Sequence, residues 1–97
     1  MTNASVAIQV LPKVGNEDTI RIVDQVIDHI KASGMNYVVG PFETTIEGDY
    51  DQLMELVKEC SLICIEAGAP SVMTYVKISY SPAGVWTIAE KTDKHRH

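Results

Sequence analysis

The spacing of apolar residues along the chain changes period several times, and each change marks an element. In "SVAIQVLP", Val6, Ile8 and Val10 alternate with Ala7, Gln9 and Leu11. A period of two is that of a strand, and Pro12 closes it. "KVGNED" follows as a loop, in which Asn16 suits a helix N-cap and Glu17 and Asp18 suit the positive end of the helix dipole. Ile20, Val23, Ile27 and Ile30 then recur at helical spacing until Gly34, which predicts a helix over 17–33.

"MNYVVG" predicts a second strand turned by Gly40-Pro41, and "ETTIEG" a third that ends at Gly48. So short a connection makes the two antiparallel neighbours. Asp49 is placed to cap a second helix, with Gln52 as the other half of a capping box. That helix carries the stripe Leu53, Leu56, Val57, Cys60, Ile63, Cys64 and Ala67, and ends at Gly68 before Pro70. "SVMTYVKISYS" alternates again through Val72, Thr74, Val76, Ile78 and Tyr80. The order β-α-β-β-α-β, with right-handed crossovers, predicts an α+β, ferredoxin-like sandwich: a four-stranded antiparallel sheet with both helices on one face. Residues 1–81 make this domain. Residues 82–97, "PAGVWTIAEKTDKHRH", form a tail whose Trp86 is expected to dock on the domain or on a neighbouring subunit, with His95 and His97 solvated.

Composition narrows the function. The 97 residues are 45% hydrophobic and 22% charged, the make-up of one soluble domain, and the formal net charge is -5. An acidic chain lacks the basic stripe of a nucleic-acid binder. No stretch reaches the roughly 18 apolar residues of a membrane span, and the N-terminus is not a basic segment followed by a long apolar run, so a cytoplasmic protein is expected. Cys60 and Cys64 share a helix face without further Cys or His nearby, and read as buried, reduced thiols rather than metal ligands. No Ser, Cys or His stands in a nucleophile–base arrangement, so the expectation is binding and not catalysis.

Both helices on one face leave the other face of the sheet to a second set of side chains. Alternation sends Gln9, Thr45, Glu47, Met73, Tyr75, Lys77 and Ser79 there. That surface is either a polar outer face held by a Glu47–Lys77 contact, or a ligand or subunit interface, since Met73, Tyr75 and Leu11 make it unusually apolar.

The block "TTIEGDYDQLMELV", with Thr44, Thr45, Ile46, Glu47, Gly48, Asp49, Asp51 and Met54, followed by "EAGAPSV" and "VKI", resembles the YkoF-like thiamine-binding family of small proteins. "VAIQVLP" and "EKTDK" extend the likeness over nearly the whole chain. The resemblance implies a ferredoxin-like protomer, sheet-to-sheet packing into dimers or tetramers, and binding of thiamine or its hydroxymethylpyrimidine portion without an established catalytic activity. It assigns binding to Thr45 and Glu47. Ser71 departs from the family, whose relatives often carry a basic residue after "GAP".

An aminopyrimidine presents an amine beside ring-nitrogen acceptors, which a carboxylate can meet through a charge-assisted hydrogen bond. The expected ligand set is Gln9, Thr44, Thr45, Glu47 and Lys77, with Tyr37, Phe42 and Tyr75 as walls for the ring; Asn36 lies too near a strand start to place. No cofactor beyond that ligand and no metal is expected. A diphosphate would want a Gly-rich cradle or a Lys and Arg cluster, and "PKVGNED" offers neither, so unphosphorylated thiamine is the expected form. The same loop lacks the Arg of an acylphosphatase, and nothing marks a small dimeric monooxygenase. The remaining rival is an interaction module without a small ligand.

Overall fold

The computed structural model describes residues 2–95. Strand β1 (Ala4–Pro12), helix α1 (Asn16–Ala32), strands β2 (Asn36–Val39) and β3 (Thr44–Gly48), helix α2 (Tyr50–Glu66) and strand β4 (Val72–Tyr80) follow in the predicted order. The strands form one antiparallel sheet in the order β2-β3-β1-β4, the ferredoxin-like arrangement. A five-residue helix, α3 (Ile88–Thr92), and a 3-10 turn at Asp93–His95 complete the described chain. His97 lies outside it.

Register follows from alternation. Val6 pairs with Ile46 and Ile78, and Ile8 pairs with Thr44 and Val76, all facing the helices. Against them α1 sets Ile22, Val26 and Ile30, and α2 sets Leu53, Leu56, Cys60 and Cys64. These side chains make one dry core. Burial pushes the Cys60 thiol up to about 12, helped by neighbouring Cys64 and Glu59, and burial raises Cys64 as well. Both are free thiols.

Two local expectations are corrected, and one strand residue is less buried than its parity implies. The cap of α1 is Gly15, whose extended backbone (φ -67, ψ 164) turns the chain into the helix one residue early, so Asn16 is helical and no side chain caps the end. The buried stripe is Ile22, Val26 and Ile30, and Ile20 is 66% exposed because it sits two residues, about 200°, from Ile22 on the helix. Ile78 faces the helix side but is half exposed, since β4 is an edge strand. Asp49 caps α2 by accepting from Gln52 N at 3.1 Å. Gly68, at φ +111, then takes a left-handed turn out of the helix that a side chain would resist.

Candidate functional site

The opposite sheet face is the one that differs from a plain two-layer sandwich. Ser5, Ala7, Gln9 and Leu11 of β1 point there, beside Thr45 and Glu47 of β3, and Met73, Tyr75, Lys77 and Ser79 of β4. After β4 the chain returns across this face. Ser81 N donates to Asn3 O and Val85 N donates to Thr2 O, which ties the returning segment along the start of β1. Helix α3 then forms on the sheet. Thr87 and Glu90 make a reciprocal capping box (Glu90 N to Thr87 Oγ1, 3.1 Å; Thr87 N to Glu90 Oε1, 2.9 Å), and the Thr87 backbone N–H, aided by the Thr87 hydroxyl, holds the Glu90 carboxyl below its usual range.

Glu47 fixes this cover. Its side chain turns away from α1 and α2, yet the residue is only 6% exposed, because α3 lies over it. One carboxylate oxygen accepts from Ile88 N at 2.7 Å, and the other from Asn36 Nδ2 at 2.6 Å. Glu47 does turn away from the helices, but within this chain it is the C-terminal segment that encloses it, and both oxygens are engaged. The Glu47–Lys77 contact is corrected. Strand β1 separates the two, with Glu47 opposite Ser5 and Lys77 opposite Ala7. Lys77 reaches over the small Ala7 to Glu43, 2.7 Å away.

Between α3 and the β2–β3 turn this face opens into a crevice of about 420 Å³, large enough for a small heterocycle. Its apolar walls are Ala7, Val38 and Ile88; Ser5, Thr45, Glu43, Lys77, Lys91 and Thr92 supply the polar groups. The β2–β3 turn that carries Glu43 depends on Gly40, whose N–H donates to Glu43 O at 3.0 Å and where a Cβ would come within 2.8 Å of that oxygen.

The predicted site residues divide. Thr45 and Lys77 line the crevice. Gln9 and Tyr75 face each other across β1 and β4 on the same sheet face, outside it. Thr44 is one residue from Thr45 and therefore on the opposite side of the sheet, buried against the helices. Tyr37 pairs with Ile46 and packs at the margin of the core. Phe42, 81% exposed, sits in the β2–β3 turn beside a second opening of about 240 Å³ between that turn and α1, which Thr44 also borders. Sequence reasoning missed Ser5, Glu43, Lys91 and Thr92. Ser5 was within reach of the same alternation that found Gln9. The "TIAE" of Thr87–Glu90 is a capping-box signature and announces α3.

A family model described as Thiamine-binding protein matches residues 6–96. The chain belongs to this thiamine-binding protein family. A UPF0045 protein of Clostridium perfringens is 45% identical over 96 residues, 99% of this chain and 100% of that protein. Among solved structures, a DUF77 domain from Bacillus cereus superposes with TM-score 0.90 at 38% identity, covering 99% of this chain and 93% of its own. A thiamine biosynthesis/salvage candidate from Thermotoga maritima superposes with TM-score 0.87 at 35% identity, over 97% and 99% of the two chains. The family match thus spans α3 and the named crevice residues other than Ser5.

Proposed function

We propose that this chain binds thiamine, or its hydroxymethylpyrimidine portion, in the open-face crevice and releases it unchanged, with a second copy closing the face. The observation that carries the reading is the convergence of the Glu43 carboxylate and the Thr45 hydroxyl on a crevice walled by Val38, Ala7 and Ile88. The carboxylate suits the exocyclic amine, the hydroxyl can donate to a ring nitrogen, and the apolar walls suit the flat faces of the ring. Family membership supplies the ligand class.

In this reading Glu47 builds the wall and Glu43 meets the ligand. Glu47 holds Ile88, and through it α3, over the sheet. Lys77 is already met by Glu43, which leaves Lys91 as the one crevice lysine to meet a phosphate, short of the Lys and Arg cluster a diphosphate wants. A binding role without turnover agrees with the rest of the chain. Both cysteines are buried with raised pKa values, which disfavours the nucleophilic thiolate, and His29 pairs with Glu59 on the far side of the sheet. Exposed Met73 and Tyr75 beside the crevice suit a stacked second copy.

Calorimetric titration with thiamine, hydroxymethylpyrimidine and thiamine diphosphate tests this. Thiamine and hydroxymethylpyrimidine are expected to bind and the diphosphate to bind more weakly. Tighter binding of the diphosphate, or no heat from any of the three, contradicts it.

A further inference from the structure

We infer that the crevice takes the monophosphate ester of hydroxymethylpyrimidine more tightly than the free alcohol, with Lys91 and Ser5 meeting the phosphate. This preference rests on the proposed pyrimidine site and gives its ligand an anionic half.

The groups lining the crevice include one carboxylate, Glu43, and two ammonium groups, Lys77 and Lys91, which leaves one positive charge over. Glu43 and Lys77 meet at 2.7 Å and satisfy each other. Glu47, just outside, gives one oxygen to Ile88 N and the other to Asn36 of β2, on the far side of β3 from Ser5. The unspent charge is therefore that of Lys91, which has no ion-pair partner among the described residues. Ile88, Lys91 and Thr92 lie three and four residues apart and share one face of α3. Ile88 is buried on the sheet, so its seat brings Lys91 to the crevice as well.

The sheet supplies hydroxyls to the same end of the crevice. Ser5 and Ser79 are paired across β1 and β4, and both line it. Ser5 is 7% exposed, yet its hydroxyl meets no partner among the described residues. Buried polar groups are as a rule hydrogen-bonded, so an unbonded hydroxyl opening on a cavity is a position that a ligand atom would complete. The Thr92 hydroxyl, by contrast, already donates to Ile88 O at 2.8 Å. One free ammonium and two free hydroxyls suit a single phosphate group, which accepts from both through charge-assisted hydrogen bonds.

The spacing agrees with one ligand serving both ends. Along β1, Ser5 precedes Ala7, the apolar floor residue that Thr45 and Lys77 flank. Alternate residues of a strand stand about 7 Å apart. Hydroxymethylpyrimidine carries its amine and its hydroxymethyl group on adjacent ring carbons. With the ring over Ala7 and the amine at Glu43, the CH2–O link of the ester carries the phosphate to the neighbouring Ser5–Ser79 row. Thiamine attaches a thiazolium cation through the same methylene carbon, and there Lys91 opposes it.

Lys91 thus acts with opposite sign on two ligands, and calorimetric titration reads the sign. The probes are hydroxymethylpyrimidine, its monophosphate, thiamine and inorganic phosphate, each titrated into wild type, Lys91→Met and Ser5→Ala. Wild type is expected to bind the monophosphate about tenfold more tightly than the alcohol. Lys91→Met should remove most of that advantage and tighten thiamine about twofold. Ser5→Ala should cut the advantage about threefold. A monophosphate no tighter than the alcohol overturns the inference and leaves the pyrimidine site standing. An advantage that survives Lys91→Met, or a Lys91→Met protein that weakens all the ligands alike, overturns it too. So does inorganic phosphate binding as tightly as the ester, since the anion would then be held without the ring. If no pyrimidine binds wild type, the pyrimidine site itself fails and the preference falls with it.

Discussion

The two faces of this sheet are covered in different ways. On one face two 17-residue helices lay down regular apolar stripes, and the contact is dry: Val6, Ile46, Ile22, Leu53 and Cys60 are all 1% exposed or less. On the other, a five-residue helix rests on a buried carboxylate, and a polar crevice remains beside it. Short helices are marginal on their own, so α3 depends on Glu47 and Ile88 for its place in a way α1 and α2 do not. The dry face provides stability, and the second face leaves groups free for recognition.

The largest expected effect tests the dry face. Ile46→Ala removes a buried branched side chain from a central strand and should cost about 3 kcal/mol in urea unfolding; a loss under 1 kcal/mol would mean that the core collapses around the gap. Alkali should act on the same face. Cys60 and Cys64 both have folded pKa values above their ordinary 9.0, so their contribution is intact below pH 9 and is lost as pH rises above it, for Cys60 towards about 12. Stability measured across that window should fall steadily, and Cys60→Ala should flatten the decline.

On the second face, Glu47→Ala strands the buried Ile88 N and takes the partner of the exposed Asn36 Nδ2, and should cost about 2 kcal/mol. It should also expose the segment after Tyr80 to limited proteolysis. Glu47→Gln should recover much of this, because Asn36 can turn its carbonyl towards the new amide. Equal proteolysis of wild type and Glu47→Ala would show that α3 holds without the carboxylate. Thr45→Val should leave stability nearly unchanged but weaken thiamine by about 1 kcal/mol, roughly fivefold in Kd. Lys77→Ala is expected to change unfolding by about 0.5 kcal/mol or less, since Lys77 is 75% exposed and its pair with Glu43 is solvated.

The same contrast governs what the residues disclosed in advance. Periods of two and 3.6 arise from burial against a broad apolar face, so β1, α1, α2 and β4 were legible, and with them the topology and the parity that puts Thr45 and Glu47 away from the helices. Helix α3 buries one side chain, Ile88, and a single buried residue has no period. Only its capping box was available, and without α3 the fate of Glu47 could not follow. The pairing of Lys77 with Glu43 depends on strand order and on the small size of Ala7, two facts that lie outside either segment. Thr44 shows a simpler failure: two adjacent strand residues were given one role, although neighbours on a strand face opposite sides.

Amide shifts mapped by NMR during a thiamine titration test the central claim most directly. Binding in the crevice should move Glu43, Thr45, Lys77 and Lys91 first and most. Shifts centred on Val23, Phe42 and Thr44, around the opening beside α1, would place the ligand on the other side of the sheet and contradict the account.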